Sequence, residues 1–173
     1  MTSTTTTIIG QLDQLLDRKD YKGALALLRS LDRQKRRELS RETLALLYFS
    51  EAKCHYRLGA YRAALVRLRA SIRLGEPIHD SLLRARQKYF SGCIYRDIGD
   101  VERALEEFTE SYVFFKSAKA YESMLAPLET IALLHFAKGD YAQARSVGAS
   151  ILRKAESIGS VEDRIIASLN LLQ

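Results

Sequence analysis

The chain has 173 residues, 47% of them hydrophobic, which is enough for one domain of ordinary size with its own core. No apolar run approaches the roughly 20 residues that a membrane-spanning helix requires, and the opening residues lack the parts of a secretory signal, so we expect no membrane insertion. Two cysteines, Cys54 and Cys93, are too few for a disulfide framework, which favours a cytoplasmic protein.

The net charge of +6 is unevenly spread along the chain. Residues 44–96 carry ten basic and three acidic side chains, whereas residues 97–173 carry eight basic and twelve acidic ones. Such asymmetry can steer charged partners or favour contact between copies of the chain, although solvated helix faces produce it as well.

The composition favours helices throughout. The chain has only two prolines and no tryptophan, and it is rich in Ala, Leu, Arg and Glu, which are good helix formers. Apolar residues at helical spacing flank Gly59 on both sides, and Gly99 and Gly139 are flanked in the same way. We therefore predict an all-α fold built from helix–turn–helix units.

A short motif recurs at a fixed 40-residue step. Its alanine falls at Ala24, Ala64, Ala104 and Ala144. The bulky residue three positions earlier is Tyr21, Tyr61, Val101 and Tyr141. Before it come Asp20, Ala60, Asp100 and Asp140, each preceded by Lys19, Gly59, Gly99 and Gly139 in turn. Self-similarity at a fixed step of this length is the signature of a helical solenoid.

The chemistry of a tight turn explains the recurring letters. Glycine ends the first helix, because the residue after a helix often needs a left-handed backbone. Aspartate then caps the second helix, and alanine lies where two helices cross closely. The three glycines and four alanines are therefore the predicted repeat-packing residues. Lys19 replaces glycine in the first copy, so we expect a turn there that is looser or built differently.

The same register sets the predicted organisation of the chain. We expect a disordered lead-in at residues 1–7 and a single domain at residues 8–173. The predicted repeats span approximately residues 8–38, 41–76, 80–118 and 120–157, and a C-terminal helix follows at residues 160–173. This last helix is either a cap or the first helix of a further repeat.

The motif resembles the tetratricopeptide repeat (TPR) family, in a variant with a 40-residue period. In that family a small residue of the first helix meets the alanine of the second, and the matching positions here are Leu12, Ala52, Gly92 and Ala132. The resemblance implies a right-handed superhelical solenoid of about four repeats. The usual period of 34 and the family's tryptophan and terminal proline are absent. A HEAT or armadillo array has a similar period but does not predict this turn.

No catalytic, cofactor or metal site is predicted. His55 and His135 occupy the position at which the family has a packing aromatic residue, and His79 lies in a link. The two cysteines lie far apart in the sequence and do not match zinc spacing. A basic run at residues 29–42, followed by four arginines, could neutralise phosphates, but acidic residues interrupt the run. Those arginines are Arg62, Arg67, Arg69 and Arg73.

The resemblance implies that the first helices line a concave groove that binds a partner. The predicted partner-binding residues are Lys53, Tyr56, Arg57, Arg86, Tyr89 and Arg96. Further groove-facing candidates are Phe49, Phe90, Cys93, Glu129, Leu133 and Phe136. Because arginine and aromatic residues are enriched in binding hot spots, and because residues 44–96 are basic, we expect an acidic or amphipathic protein segment as the partner.

The predicted function is therefore protein–protein interaction, without enzymatic activity, as part of a larger regulatory or scaffold protein in signalling or transcription regulation. One alternative is self-association, in which the basic half of one copy meets the acidic half of another. A second alternative, which we expect less, is a nucleic-acid-binding accessory domain.

Overall fold

The computed structural model of the chain describes residues 3–31 and 33–158, and their regular structure is entirely helical. The α-helices are α1 (Ser3–Asp17), α2 (Tyr21–Ser30), α3 (Arg33–Glu38), α4 (Arg41–Arg57), α5 (Tyr61–Gly75), α6 (Ser81–Asp97), α7 (Val101–Ser117), α8 (Leu125–Ala137) and α9 (Tyr141–Ile158). A short 3-10 helix spans Glu76–Ile78. Within these residues no β-strand occurs, which confirms the predicted all-α class.

The helices pack as consecutive pairs, in two compact units that divide between His79 and Asp80. In the first unit α1 packs on α2, α2 on α4 and α4 on α5. In the second unit α6 packs on α7, α7 on α8 and α8 on α9. Each unit thus contains two helix pairs. The single domain that the sequence analysis expects at residues 8–173 stays a prediction. The superhelical arrangement stays a prediction.

The ends of the chain differ in part from the expected boundaries. Helix α1 begins at Ser3, so residues 3–7 of the expected disordered lead-in are helical. A run of threonines costs a helix only a few tenths of a kcal/mol per residue, and the apolar face that starts at Ile8 packs on the core of the first unit. The predicted C-terminal helix at residues 160–173 lies outside the described residues.

Each first helix of the four repeats ends in a left-handed turn. At Gly99 the backbone φ is +84°, its N–H donates to the carbonyl of Arg96, and the next N–H donates to the carbonyl of Tyr95. This pair of hydrogen bonds closes the helix end. Lys19 adopts φ of 58° and makes the same two hydrogen bonds. The expectation of a looser or differently built first turn is therefore wrong, because the backbone pattern tolerates a side chain.

The second helices begin as the aspartates predict. The side chains of Asp20, Asp100 and Asp140 each accept a hydrogen bond from the N–H group three residues later, at 2.9, 3.2 and 3.3 Å. At the equivalent position Ala60 provides no such cap. The acidic letter of the motif is thus an N-cap in three of the four turns.

Small residues lie where the paired helices approach. Ala24, Ala64 and Ala104 are fully buried, whereas Ala144 is half-buried. At Gly92 an added Cβ would lie 2.8 Å from the ring of Phe108, so the glycine makes room for that ring. Ala52, at the same register one repeat earlier, is also fully buried.

A buried hydroxyl links the two helices in each of the middle repeats. Ser71 donates to the carbonyl oxygen of Ala45 at 2.6 Å, and Ser111 donates to that of Ala85 at 2.8 Å. Both pairs keep the register of the repeat. The sequence analysis missed them, because a serine in an amphipathic helix gives no sign of facing inward.

A buried carboxylate ties three helices of the first unit together. Glu51 on α4, whose side chain is only 5% exposed, pairs with Arg36 at 2.8 Å and with Arg67 at 2.9 Å. Both guanidinium groups also lie over the ring of Tyr48, at 5.4 and 5.8 Å from its centroid. The cluster fastens α3 and α5 to α4.

The second unit has a charged cluster in which the central group is a cation and its partners are carboxylates. Lys88 on α6 approaches Glu107 at 3.1 Å and Glu110 at 2.9 Å. Burial alone lowers the pKa of Lys88, but hydrogen bonds and charge from the two carboxylates outweigh it, so that the pKa is raised. Burial also raises the pKa of Glu107, against the opposing effect of Lys88.

Across the described ranges, 3–31 and 33–158, no helix has the length and apolar character needed to cross a membrane.

Two glycine substitutions should change stability in opposite directions. Gly99→Ala should lower the free energy of unfolding by about 1 kcal/mol, because alanine is strained at positive φ. Gly10→Ala, inside α1 with open space around the added methyl group, should raise it by about 0.5–1 kcal/mol. Denaturant titration followed by circular dichroism measures both. Equal effects of the two substitutions would contradict the left-handed turn.

Removal of the charge at Glu51 should be far more costly than the same change at the surface. Glu51→Gln should lower the free energy of unfolding by about 1.5–3 kcal/mol, since it weakens two charge-assisted hydrogen bonds of a buried group. The control Glu110→Gln, at a side chain that is 55% exposed, should cost less than about 1 kcal/mol. Denaturant titration of both variants beside the wild type tests this ordering.

Candidate functional site

The predicted partner-binding residues lie on two first helices, one in each unit. Lys53, Tyr56 and Arg57 belong to α4 of the first unit, and the other three belong to α6 of the second unit. Helices α6 and α8, which both lie in the second unit, are linked through Tyr89, as described below. Three of the six predicted residues thus lie in the first unit and three in the second.

On α4 two cations stand over aromatic rings. Lys53 and Arg57 are both exposed. The Lys53 ammonium lies 5.6 Å from the ring centroid of Phe49, and the Arg57 guanidinium lies 6.0 Å from that of Tyr56. Neither makes an ion pair with any residue that the structure describes. The ring contacts hold the two charged groups near the helix surface while leaving their hydrogen-bond donors accessible.

The Tyr56 ring is itself held from the other side of the turn. It lies 5.8 Å from the ring of Tyr61, the first residue of α5. The equivalent contact in the second unit joins Phe136 on α8 to Tyr141 on α9 at 5.3 Å. The recurring tyrosine of the motif thus packs on the last turn of the preceding helix in both repeats.

The three predicted residues of α6 differ in their surroundings. Arg86 is exposed and forms no ion pair with the described residues. Arg96 is engaged by its neighbour, since its Nε lies 2.8 Å from the Oδ1 of Asp97. A partner carboxylate would therefore compete with Asp97 for Arg96, whereas Arg86 has no such competitor in the described part of the chain.

Tyr89 is a packing residue more than a surface one. Its ring meets that of Phe108 edge to face at 5.4 Å. Burial raises the pKa of the Tyr89 hydroxyl, which the charge of Cys93 also raises, while a hydrogen bond with Thr130 on α8 opposes the shift. Tyr89 therefore connects α6 with both α7 and α8, and only part of its side chain is accessible.

The further groove candidates divide into exposed and buried residues. Leu133 is 56% exposed and Phe136 is 44% exposed, both on α8. Phe49, Phe90 and Glu129 are half-buried. Cys93 is only 8% exposed, so the expectation that it faces a groove is wrong. Helix spacing places Cys93 on the face of Arg86, but it cannot show that this part of the face is covered.

The histidines and cysteines form no metal-binding cluster within the described residues. His55 is half-buried, and its pKa is lowered by burial and then by the charge of Arg67. Burial raises the pKa of the Cys54 thiol to about 11, which keeps it protonated and unreactive. Among the described side chains no group of three His, Cys, Asp or Glu residues could hold a metal ion.

The basic run at residues 29–42 proves to be partly structural. Arg36 donates to the carbonyl oxygens of Leu28 at 2.7 Å and of Leu31 at 3.2 Å, besides its ion pair with Glu51. It thereby satisfies carbonyl groups at the end of α2. Arg67, counted in the sequence among the cations available for phosphate, is likewise engaged by Glu51. The sequence could not reveal these partners, because they belong to other helices, α2 and α4.

Comparisons of sequence are negative. No protein-family profile matches the chain, and no curated protein is similar to it in sequence.

Comparisons of structure give several matches over nearly the whole chain. BtubC (BKLC) from P. vanneervenii superposes with a TM-score of 0.79 at 17% identity, over 95% of this chain and 68% of that one. The kinesin light chain TPR-like repeats from Podosopora anserina give 0.78 at 16% identity, over 98% of this chain and 84% of theirs.

Aspartyl phosphate phosphatase F from Bacillus subtilis gives a TM-score of 0.85 at 16% identity, over 97% of this chain. The present chain spans 45% of the length of that protein. At identities this low the agreement concerns the fold. The chain has the all-α helical-repeat fold of TPR-like proteins.

Proposed function

We propose that this chain is a protein-interaction module whose first helices bind an acidic, amphipathic protein or peptide segment. It serves this role as part of a larger regulatory or scaffold protein in signalling or transcription regulation. The observation that carries the proposal is a set of exposed cations on first helices, Lys53, Arg57 and Arg86, that have no ion pair with the described residues.

The surroundings of these cations favour the binding of a carboxylate over a role as simple solvated charges. The Lys53 and Arg57 groups rest on aromatic rings, which limits the conformational freedom that they lose when a carboxylate binds. Arg86 has five donors in a fixed fork, a geometry that suits a carboxylate. By contrast, Arg36 on α3 and Lys88 on α6 already pair with carboxylates of this chain.

Apolar surface in the second unit supports the amphipathic part of the proposal. Leu133 and Phe136 are spaced three residues apart, so they share one face of α8, and both are largely exposed. Helix α8 is linked to α6 through Tyr89. A segment that pairs acidic groups with Arg86 would therefore find apolar contacts on the neighbouring first helix.

Contacts among the described residues argue against the two alternatives from the sequence, which are self-association and nucleic-acid binding. Arg36 and Arg67 already bind Glu51, which leaves fewer cations for phosphate. The charge difference between the halves of the chain is partly neutralised within each unit, as in the clusters around Glu51 and Lys88. We therefore keep a protein segment as the partner.

The test uses peptides selected by the protein itself. A phage-displayed random peptide library is selected on the wild-type chain, and enriched peptides are synthesised and titrated by fluorescence anisotropy. We expect them to combine acidic with large apolar residues. Arg86→Glu should weaken their binding about tenfold or more, and Arg96→Glu should weaken it less, because Asp97 already occupies Arg96.

Arg69→Glu is the matched control, since Arg69 is an exposed arginine on the second helix α5 and should leave the affinity within about twofold. Circular dichroism verifies that each variant is folded. Peptides without acidic residues, or equal losses for Arg86→Glu and Arg69→Glu, would contradict the proposal.

A further inference from the structure

Helices α7 and α8 of the second unit form an open groove between them. Its volume is about 420 Å³, within the range of roughly 300–1,000 Å³ that ligand pockets occupy. The lining residues are Leu105, Glu106, Thr109 and Glu110 from α7, with Ile131 and His135 from α8. None of them belongs to the first-helix surface of the proposed function.

The deepest residues of the groove are apolar, and its rim is acidic. Ile131 is 7% exposed and Leu105 is half-buried, whereas Glu106 is exposed and Glu110 is 55% exposed. The two glutamates are four residues apart, so they lie on one side of α7. A long side chain with an apolar stem and a charged end would bury the stem and keep the charge at the rim.

The polar groups of the groove accept hydrogen bonds. The Thr109 hydroxyl already donates its proton to the carbonyl oxygen of Leu105 at 2.8 Å, which leaves its oxygen as an acceptor. The Nδ1 of His135 lies 3.4 Å from the Oδ2 of Asp140, and a neutral imidazole that donates from Nδ1 has an acceptor at Nε2. Ionised carboxylates only accept. The lining therefore favours a ligand that donates and is positively charged.

One carboxylate at the rim is available to such a ligand. Glu106 makes no ion pair with the residues that the structure describes. Its neighbours on α7 are engaged, because Glu102 lies 2.8 Å from Lys138 and Glu110 lies 2.9 Å from Lys88. A cation from outside would therefore pair with Glu106 and share Glu110 with Lys88.

The repeat itself does not impose these carboxylates. At the positions of Glu106 and Glu110, the other three second helices have small or apolar residues. They are Ala26 and Ser30 on α2, Val66 and Ala70 on α5, and Ser146 and Ser150 on α9. The acidic pair is thus particular to α7, whereas the turn and packing residues recur in every repeat.

We propose that the groove between α7 and α8 binds an arginine side chain of a basic partner segment. The guanidinium pairs with Glu106 and Glu110. The methylene stem packs on Leu105 and Ile131. A guanidinium has five donors in a planar fork and no acceptor, which matches a lining of acceptors better than a lysine ammonium does. This second site goes beyond the proposed function, because it takes a ligand of the opposite charge on different residues.

NMR titration of the full ¹⁵N-labelled chain tests the proposal, with N-acetyl-arginine amide as the smallest probe. Amides around Thr109 and Ile131 should shift and saturate with a Kd of roughly 1 mM, as a ligand of this size reaches. An acetylated pentapeptide with arginine between alanines should bind at least as tightly, because the open groove admits the flanking backbone. N-acetyl-citrulline amide, which has nearly the same shape without the charge, should bind at least about tenfold more weakly.

Substitutions distinguish this site from the first-helix surface. Glu106→Gln combined with Glu110→Gln should weaken binding of the arginine probes about tenfold or more. Glu156→Gln is the matched control, at an exposed glutamate of α9 outside the groove, and should change it less than about twofold. The acidic peptides selected for the first-helix surface should bind the double variant within about twofold of the wild type, so the two proposals can fail separately.

Contrary results overturn the proposal. Equal affinity for the arginine and citrulline probes means that the carboxylates do not recognise charge. Binding of the amide without the pentapeptide means that the groove takes a small molecule and no partner segment. Shifts of the groove amides when the chain alone is concentrated mean that a second copy fills the groove, which excludes a separate partner.

Discussion

Close contact between small residues of paired helices is the constraint on which the rest of the structure depends. Packed helices lie about 8–10 Å apart, and they come nearest where the side chains at the contact are short. Here Ala52, Ala64 and Ala104 are fully buried. Where one residue shrinks to glycine, at Gly92, a phenylalanine ring fills the space. Because the distance between paired helices is fixed, the turns and caps can recur at a constant step along the chain. Each helix pair then exposes the same faces.

The charged clusters show how the repeats diverge on this common frame. Glu51 and Ser91 are equivalent positions, as are Arg67 and Glu107, yet the first unit buries a carboxylate between arginines and the second surrounds a lysine with carboxylates. A buried charge must be paired, so each unit supplies partners of the opposite sign. The sequence totals, which show a basic middle and an acidic second half, do not reveal this local neutralisation.

Much of the fold could be predicted from the sequence, and less of the surface. The constant step between motifs locates the turns, because each turn needs a residue with a left-handed backbone and a helix cap. These local requirements favour particular residue types, glycine and aspartate, which can be recognised in the sequence. Helix α3 was missed, since its six residues carry no apolar periodicity and Arg36 binds carbonyl groups eight and five residues earlier. Cys93 and Tyr89 lie on the predicted face, but the burial of Cys93 and the contact of Tyr89 with Phe108 depend on tertiary packing that spacing alone does not encode.

The first turn has a consequence for how such chains change over generations. Lys19 holds the left-handed geometry that glycine holds in the later turns, because two backbone hydrogen bonds define the turn. A glycine codon at such a place can mutate while the loop survives, at the cost of modest strain. The backbone geometry of a turn can therefore be kept while its sequence changes, which agrees with superposition on proteins that share about one residue in six.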